Sequence, residues 1–107
     1  MTDLPALLER YFALAATGDD KAAYLAQFTP DAVVRDDGKT YRGVDEIAGW
    51  RTEVPLVAYA VREVVPSADR YRARTEISGA FAGSPVELTF DFTVATDGRI
   101  AALTIAP

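Results

Sequence analysis

The sequence predicts an α+β domain in which three N-terminal helices pack on the concave face of a curved antiparallel sheet, as a cone-shaped α+β barrel. Two observations support this class. Apolar residues recur at helical spacing before Leu56, and they alternate at strand spacing after it. A chain of 107 residues is long enough for one hydrophobic core and too short for two, so we expect a single domain over residues 1–107.

Two helical patterns precede the first predicted strand. The first predicts a helix that Thr2 or Asp3 caps and that Gly18 ends. The second predicts a shorter helix that includes Phe28 and ends at Pro30, because proline cannot continue a helix.

A tight hairpin follows at Asp37-Gly38, a dipeptide that suits the positive φ angles of a two-residue turn. With this turn, Asp36 lies opposite Lys39 and Val34 lies opposite Tyr41. All four side chains share one face of the hairpin. A carboxylate therefore lies on the face that also carries apolar and aromatic side chains.

The rest of the chain predicts a third helix and four strands. The helix covers residues 43–54 and ends before Pro55. A turn at Asp97-Gly98 joins the last two strands and places Phe90 opposite Ile105, on an apolar face. The four strand-like runs are 59–65, 70–81, 86–96 and 99–106.

Composition excludes several classes of function. The net charge of −5 and the pI of about 4.6 argue against nucleic acid or an anionic membrane as a partner. The chain has no cysteine and no histidine, so thiolate sites, histidine bases and histidine metal ligands are absent. The sequence contains no glycine-rich phosphate loop and no metal-ligand cluster, which predicts no cofactor and no metal. Neither a membrane span nor a signal-peptide pattern is present, so we expect a cytoplasmic location.

Two segments of the sequence resemble a known superfamily. They are FTPDAVVRDDG, from Phe28 to Gly38, and YRGVDEIAGW, from Tyr41 to Trp50. The chain resembles the nuclear transport factor 2-like superfamily and, within it, the SnoaL-like and ketosteroid isomerase-like branch, over essentially its whole length. The resemblance implies the fold predicted above, a hydrophobic pocket and a homodimer. This fold hosts isomerases, cyclases, dehydratases, epoxide hydrolases and members without catalysis.

The resemblance also implies site residues. The base position of the ketosteroid isomerases falls on Asp36, and their helix tyrosine, an oxyanion donor, falls on Tyr11. Their second donor, a protonated aspartate, falls on Phe90. The neighbouring Asp91 should face away from the pocket unless a β-bulge turns it inward. Half of the oxyanion site therefore departs from the isomerase pattern.

Two interpretations of this site stay open. In the first, Asp36 lies inside an apolar pocket and removes a proton from a hydrophobic carbonyl compound, for isomerisation, cyclisation or hydration, with Tyr11 as oxyanion donor. In the second, Asp36 forms a solvated ion pair with Lys39, and the protein is a non-catalytic ligand-binding or dimerisation module. The predicted partner is a small hydrophobic molecule, although in the second interpretation the cone is either filled by side chains or binds such a ligand. The predicted pocket residues are Phe28, Val34, Tyr41, Trp50, Tyr59, Phe90 and Phe92.

Overall fold

The computed structural model describes residues 4–107, so the predicted cap at Thr2 or Asp3 lies outside the described residues. Within this range the α+β class is confirmed, with three helices and six strands. The helices are α1 (Ala6–Thr17), α2 (Lys21–Ala26) and α3 (Gly43–Glu53). The strands are β1 (Phe28–Asp36), β2 (Lys39–Arg42), β3 (Ala58–Ser67), β4 (Arg70–Ser78), β5 (Val86–Val94) and β6 (Ile100–Ala106).

The six strands form one curved sheet in the order β2-β1-β6-β5-β4-β3, and the sheet does not close into a barrel. It is mixed, whereas the sequence predicts an antiparallel sheet. The exception is β1, which runs parallel to β6 and places Val34 beside Leu103. A turn fixes the direction of two consecutive strands, but no turn joins these two, since most of the chain separates them. The pairing is therefore decided by how the whole domain assembles.

The second helix is shorter than predicted, because Phe28 and Pro30 belong to β1. The Gln27 carbonyl accepts a hydrogen bond of 2.7 Å from the Ile100 N–H, and Phe28 pairs with Ile100. Pairing with β6 therefore begins where the sequence predicts more helix. The register shifts between Phe28 and Val33, and Pro30, which has no N–H to donate, lies within this irregular stretch.

Both predicted hairpin registers are confirmed. Asp36 pairs with Lys39 across the first turn, where Asp37 and Gly38 have φ angles of 53° and 76°. The second register is the predicted one, but the turn is longer, because β5 ends at Val94 and the register shifts there. The confirmed pairs are Val34 with Tyr41, Phe90 with Ile105 and Phe92 with Leu103.

The core lies between the helices and the inner face of the sheet. Tyr11 and Phe12 of α1 contact Phe90 and Phe92 of β5, with ring centroids 5.0 to 6.5 Å apart. The outer face of the sheet is charged, as the alternation of its strands predicts, and carries ion pairs between neighbouring strands. None of the helices in residues 4–107 has the length and apolar character to cross a membrane.

Candidate functional site

An apolar cavity of about 220 Å³ lies between the helices and the inner face of the sheet. Helix α1 contributes Tyr11, and the end of α3 contributes Trp50 and Arg51. Strands β1 and β5 contribute Asp36 and Phe90, and most of the remaining wall is aliphatic. The curvature of the sheet and the short helices thus leave a space that side chains do not fill.

A wider recess of about 750 Å³ adjoins the cavity. The two spaces share Asp36, Phe81 and Leu88 among their lining residues. The recess is bordered by the β1–β2 turn at Asp37 and by the end of the chain at Pro107. Asp36 therefore lies where the cavity meets this outer space.

Asp36 is the last residue of β1 and is half-buried. Strand alternation turns its side chain to the inner face, and the packing of α3 on β1 brings Trp50 against it. The Trp50 indole Nε1–H donates a hydrogen bond of 3.1 Å to Asp36 Oδ2. Among the described residues, Asp36 forms no ion pair with Lys39 and accepts no other hydrogen bond from a side chain. The indole therefore holds one carboxylate oxygen, and the other has no side-chain hydrogen-bond partner among the described residues.

Tyr11 is only 2% exposed, and its hydroxyl lies 3.0 Å from the hydroxyl of Tyr24 on α2. Burial raises the pKa of Tyr11 well above its ordinary value of 10, and the nearby Tyr24 adds to the rise. Burial likewise raises the pKa of Tyr24, to about 12. Both phenols are therefore neutral at physiological pH. When Tyr24 donates the hydrogen between them, the Tyr11 proton is free for a ligand oxygen.

Two more polar side chains reach the cavity, from α3 and β3. Tyr59 was predicted as pocket wall, and it lines the cavity together with Arg51. Burial raises the pKa of Tyr59, while the charge and hydrogen bonding of Arg51 oppose the rise. Arg51 was not predicted from the sequence, because an arginine in the last turn of a helix is typical of helix ends in general.

Three of the seven predicted pocket residues line the cavity and four do not. Trp50, Tyr59 and Phe90 are in its wall. Tyr41 packs against the outer side of Trp50, with ring centroids 6.0 Å apart. The other three are buried in the hydrophobic core and do not reach the cavity; they are Phe28, Val34 and Phe92.

Asp91 faces away from the cavity, as the strand alternation predicts. It pairs with Arg72 across the outer face, where the Arg72 Nε–H donates a hydrogen bond of 3.0 Å to Asp91 Oδ1. The register is regular here, and Phe90 is the residue that faces inward. A second carboxylic acid is therefore missing from the described cavity wall. Residues 4–107 also contain no group of three or more metal-ligating side chains.

Comparison with known proteins places the chain among SnoaL-like domains. The SnoaL-like domain family matches residues 8–103. No match to the chain is found among the curated protein sequences.

Many solved structures are similar to this fold, including the following three. A Sinorhizobium meliloti protein that carries the provisional name of polyketide cyclase is 38% identical, with a TM-score of 0.87 over 96% of this chain and 95% of that one. A Sphaerobacter thermophilus protein is 28% identical, with a TM-score of 0.77 over 92% and 90% of the chains. A Catenulispora acidiphila protein with a ketosteroid isomerase-like fold, in complex with trimethylamine, is 16% identical, with a TM-score of 0.81 over 98% and 87%. As its sequence pattern predicts, the chain belongs to the SnoaL-like domain family, in the nuclear transport factor 2-like superfamily.

Proposed function

We propose that the protein binds a small hydrophobic carbonyl compound in the cavity and moves a proton on it, with Asp36 as base and Tyr11 as hydrogen-bond donor. The observation that carries this proposal is that the Asp36 and Tyr11 side chains line one apolar cavity. Membership of the SnoaL-like family and likeness to a protein named as a polyketide cyclase support a ligand-binding or isomerase/cyclase-like role.

The proposed reaction uses the two polar ends of the site. The free oxygen of Asp36 takes the proton from a carbon next to the ligand carbonyl, and the C–H electron pair moves to form the enolate. The Tyr11 hydroxyl donates a hydrogen bond to the enolate oxygen and so lowers the free energy of the charged intermediate. Return of the proton to another carbon gives isomerisation, and attack of the enolate on a second carbonyl gives cyclisation.

The size of the cavity limits the ligand. An apolar cavity of about 150 Å³ accepts benzene, and this cavity measures about 220 Å³. We therefore expect one or two fused rings inside the cavity, with any further part of the ligand in the adjoining recess. The apolar wall favours rings or alkyl chains over sugars and nucleotides.

The proposal is tested by following the exchange of protons next to the carbonyl of 2-tetralone for deuterium in D₂O, by NMR. We expect the wild-type protein to accelerate the exchange. Asp36→Asn should slow it by roughly 10²- to 10⁴-fold, the usual contribution of a positioned base. Tyr11→Phe should slow it by roughly 10²-fold, the usual effect of losing one oxyanion donor.

Asp37→Asn is the matched control, because Asp37 is the neighbouring carboxylate but is exposed at the tip of the turn. Asparagine also tolerates the positive φ of this position. Exchange that is equally fast in the Asp36→Asn and Asp37→Asn proteins would refute Asp36 as the base. Saturable binding of 2-tetralone without any acceleration would instead favour the non-catalytic ligand-binding alternative.

A further inference from the structure

Arg51 differs from every other arginine in the described residues, because it alone is half-buried, whereas the others are exposed. Arg51 lines the cavity, and Asp36 is the other charged residue of the described cavity wall. The site thus holds one positive and one negative side chain within an otherwise apolar and phenolic lining.

The packing of α1, α2 and α3 holds the guanidinium in place. Arg51 Nη2 donates a hydrogen bond to the carbonyl of Ala15, near the end of α1, and the guanidinium carbon lies 4.8 Å from the ring centre of Tyr24. Arg51 also lies in the last turn of α3, where the helix dipole favours a cation. No carboxylate of residues 4–107 lies within 4.0 Å of it, although Arg62, Arg72 and Arg74 all have such a partner.

Charge balance in the cavity indicates what this cation is for. Before a proton moves, the charges of Asp36 and Arg51 add up to zero. After Asp36 takes a proton from the ligand, the negative charge is on the ligand oxygen, and Arg51 again balances it. Without Arg51, the same step would leave an uncompensated anion in an apolar space, which is costly.

We propose that Arg51, with the neighbouring Tyr59 hydroxyl, is the counter-charge for the oxyanion of the ligand, in place of the second donor whose position Phe90 occupies. The inference rests on the proposed function and names its substrate class. The class is carbonyl compounds that react through an enolate, because a fixed cation stabilises the anion more than the neutral ketone. Tyr59 and Phe90 are adjacent in the wall, with ring centroids 6.2 Å apart.

The test uses 4-nitrophenol as a mimic of the enolate and 4-nitroaniline as a neutral compound of the same shape. Binding is measured in the Asp36→Asn protein, since asparagine has the shape of the protonated carboxyl group. We expect the pKa of 4-nitrophenol, read from the absorbance of its anion, to fall on binding. An apolar pocket without a counter-charge would raise it.

In that background, Arg51→Gln should weaken binding of the 4-nitrophenol anion by roughly 10- to 100-fold, as for the loss of a hydrogen bond to a charged group. Binding of 4-nitroaniline should not change. Arg51→Lys keeps the charge without the planar fork and should recover part of the affinity. Arg35→Gln is the matched control, because Arg35 precedes Asp36 on β1 but is exposed on the opposite face, and we expect no effect from it.

A pKa of bound 4-nitrophenol that is unchanged or raised would overturn the inference, and this result needs no arginine variant to fold. An affinity for the 4-nitrophenol anion that does not change in the Arg51→Gln variant would overturn the inference as well. If proton exchange on 2-tetralone still requires Asp36 in either case, the proposed function stands and only the role of Arg51 falls. If neither nitro compound nor 2-tetralone binds, both proposals fall.

Discussion

The hydroxyl groups of Tyr11 and Tyr24 lie 3.0 Å apart and form a hydrogen bond with each other. Both residues are only 2% exposed. Removing one hydroxyl leaves the other buried without this partner, which costs about 1–3 kcal/mol. Removing both hydroxyls leaves no buried hydroxyl without a hydrogen-bond partner. We therefore expect Tyr11→Phe and Tyr24→Phe each to lower the free energy of unfolding, and the double variant to lose clearly less than the sum of the two.

Urea denaturation of the four proteins measures this coupling as a double-mutant cycle. The aromatic contacts are preserved in every variant, because phenylalanine keeps the ring that packs on Phe28 and Phe92. Additive losses would contradict a shared hydrogen bond. Of the two tyrosines, Tyr11 lines the cavity and Tyr24 does not.

At the level of single residues, the sequence predicts those positions that a local register determines. The Asp37-Gly38 turn fixes the face of Asp36, and strand alternation fixes that of Phe90 and Asp91. Arg51 could not be found in this way, because its place in the cavity depends on how α3 packs on β1 and against α2. For the same reason, Phe92 could not be distinguished from true cavity residues by its spacing.

Two glycines, one at the end of α1 and one inside α3, test how the helices are built. Gly18 ends α1 with a φ of 65°, and its N–H donates a hydrogen bond of 3.2 Å to the Leu14 carbonyl. A Cβ atom there would lie 2.8 Å from the Leu56 side chain. Leu56 is exposed and can move, but the left-handed backbone conformation cannot be relieved. Gly18→Ala should therefore destabilise the protein by about 1–2 kcal/mol.

Gly49 in α3 is the matched opposite case. It lies inside a helix, is exposed, and has no atom within 4 Å of the position that a Cβ would take. Gly49→Ala should stabilise the protein by about 0.5–1 kcal/mol, because alanine loses less backbone entropy in a helix. Thermal and urea denaturation of both variants measure the change in the free energy of unfolding, which should be negative for Gly18→Ala and positive for Gly49→Ala. Equal signs would contradict this account of how α1 ends.

The elements themselves follow from local sequence more closely than their pairing does. Periodicity predicts α1, α3 and the last four strands, since each buries one regular face. The start of β1 could not be predicted, because helix and strand compete around Phe28 and pairing with Ile100 decides the outcome. The parallel pairing of β1 and β6 is likewise a property of the assembled sheet.

For the molecule as a whole, the charged outer face of the sheet contributes little to the stability of the fold. The ion pair between Arg72 and Asp91 is substantially exposed on both sides, and such pairs stabilise a protein by at most about 1 kcal/mol. The homodimer, the single domain over residues 1–107 and the cytoplasmic location stay predictions. The stability of the domain depends instead on its aromatic core, which carries buried ionisable groups.

These buried phenols make stability depend on alkaline pH. In an unfolded chain, tyrosine ionises near pH 10, whereas burial raises the pKa of Tyr24 to about 12 and that of Tyr11 well above 10. Above pH 10 the folded state therefore holds more protons than the unfolded state. The stabilisation is complete below pH 10 and is lost as the pH rises through about 12, with a slope of up to about 1.4 kcal/mol per pH unit for each tyrosine.

Urea denaturation between about pH 8 and pH 11.5 measures this slope. The slope should appear in the upper part of this pH range, because an ordinary tyrosine ionises near pH 10. The Tyr11→Phe/Tyr24→Phe double variant should lose stability less steeply above pH 10 than the wild type. Tyr59, whose pKa burial also raises, is present in both proteins and its contribution cancels in the comparison. Equal slopes would mean that the two hydroxyls reach water before the protein unfolds. In that case, neither could serve as a protected proton donor to a ligand in the cavity.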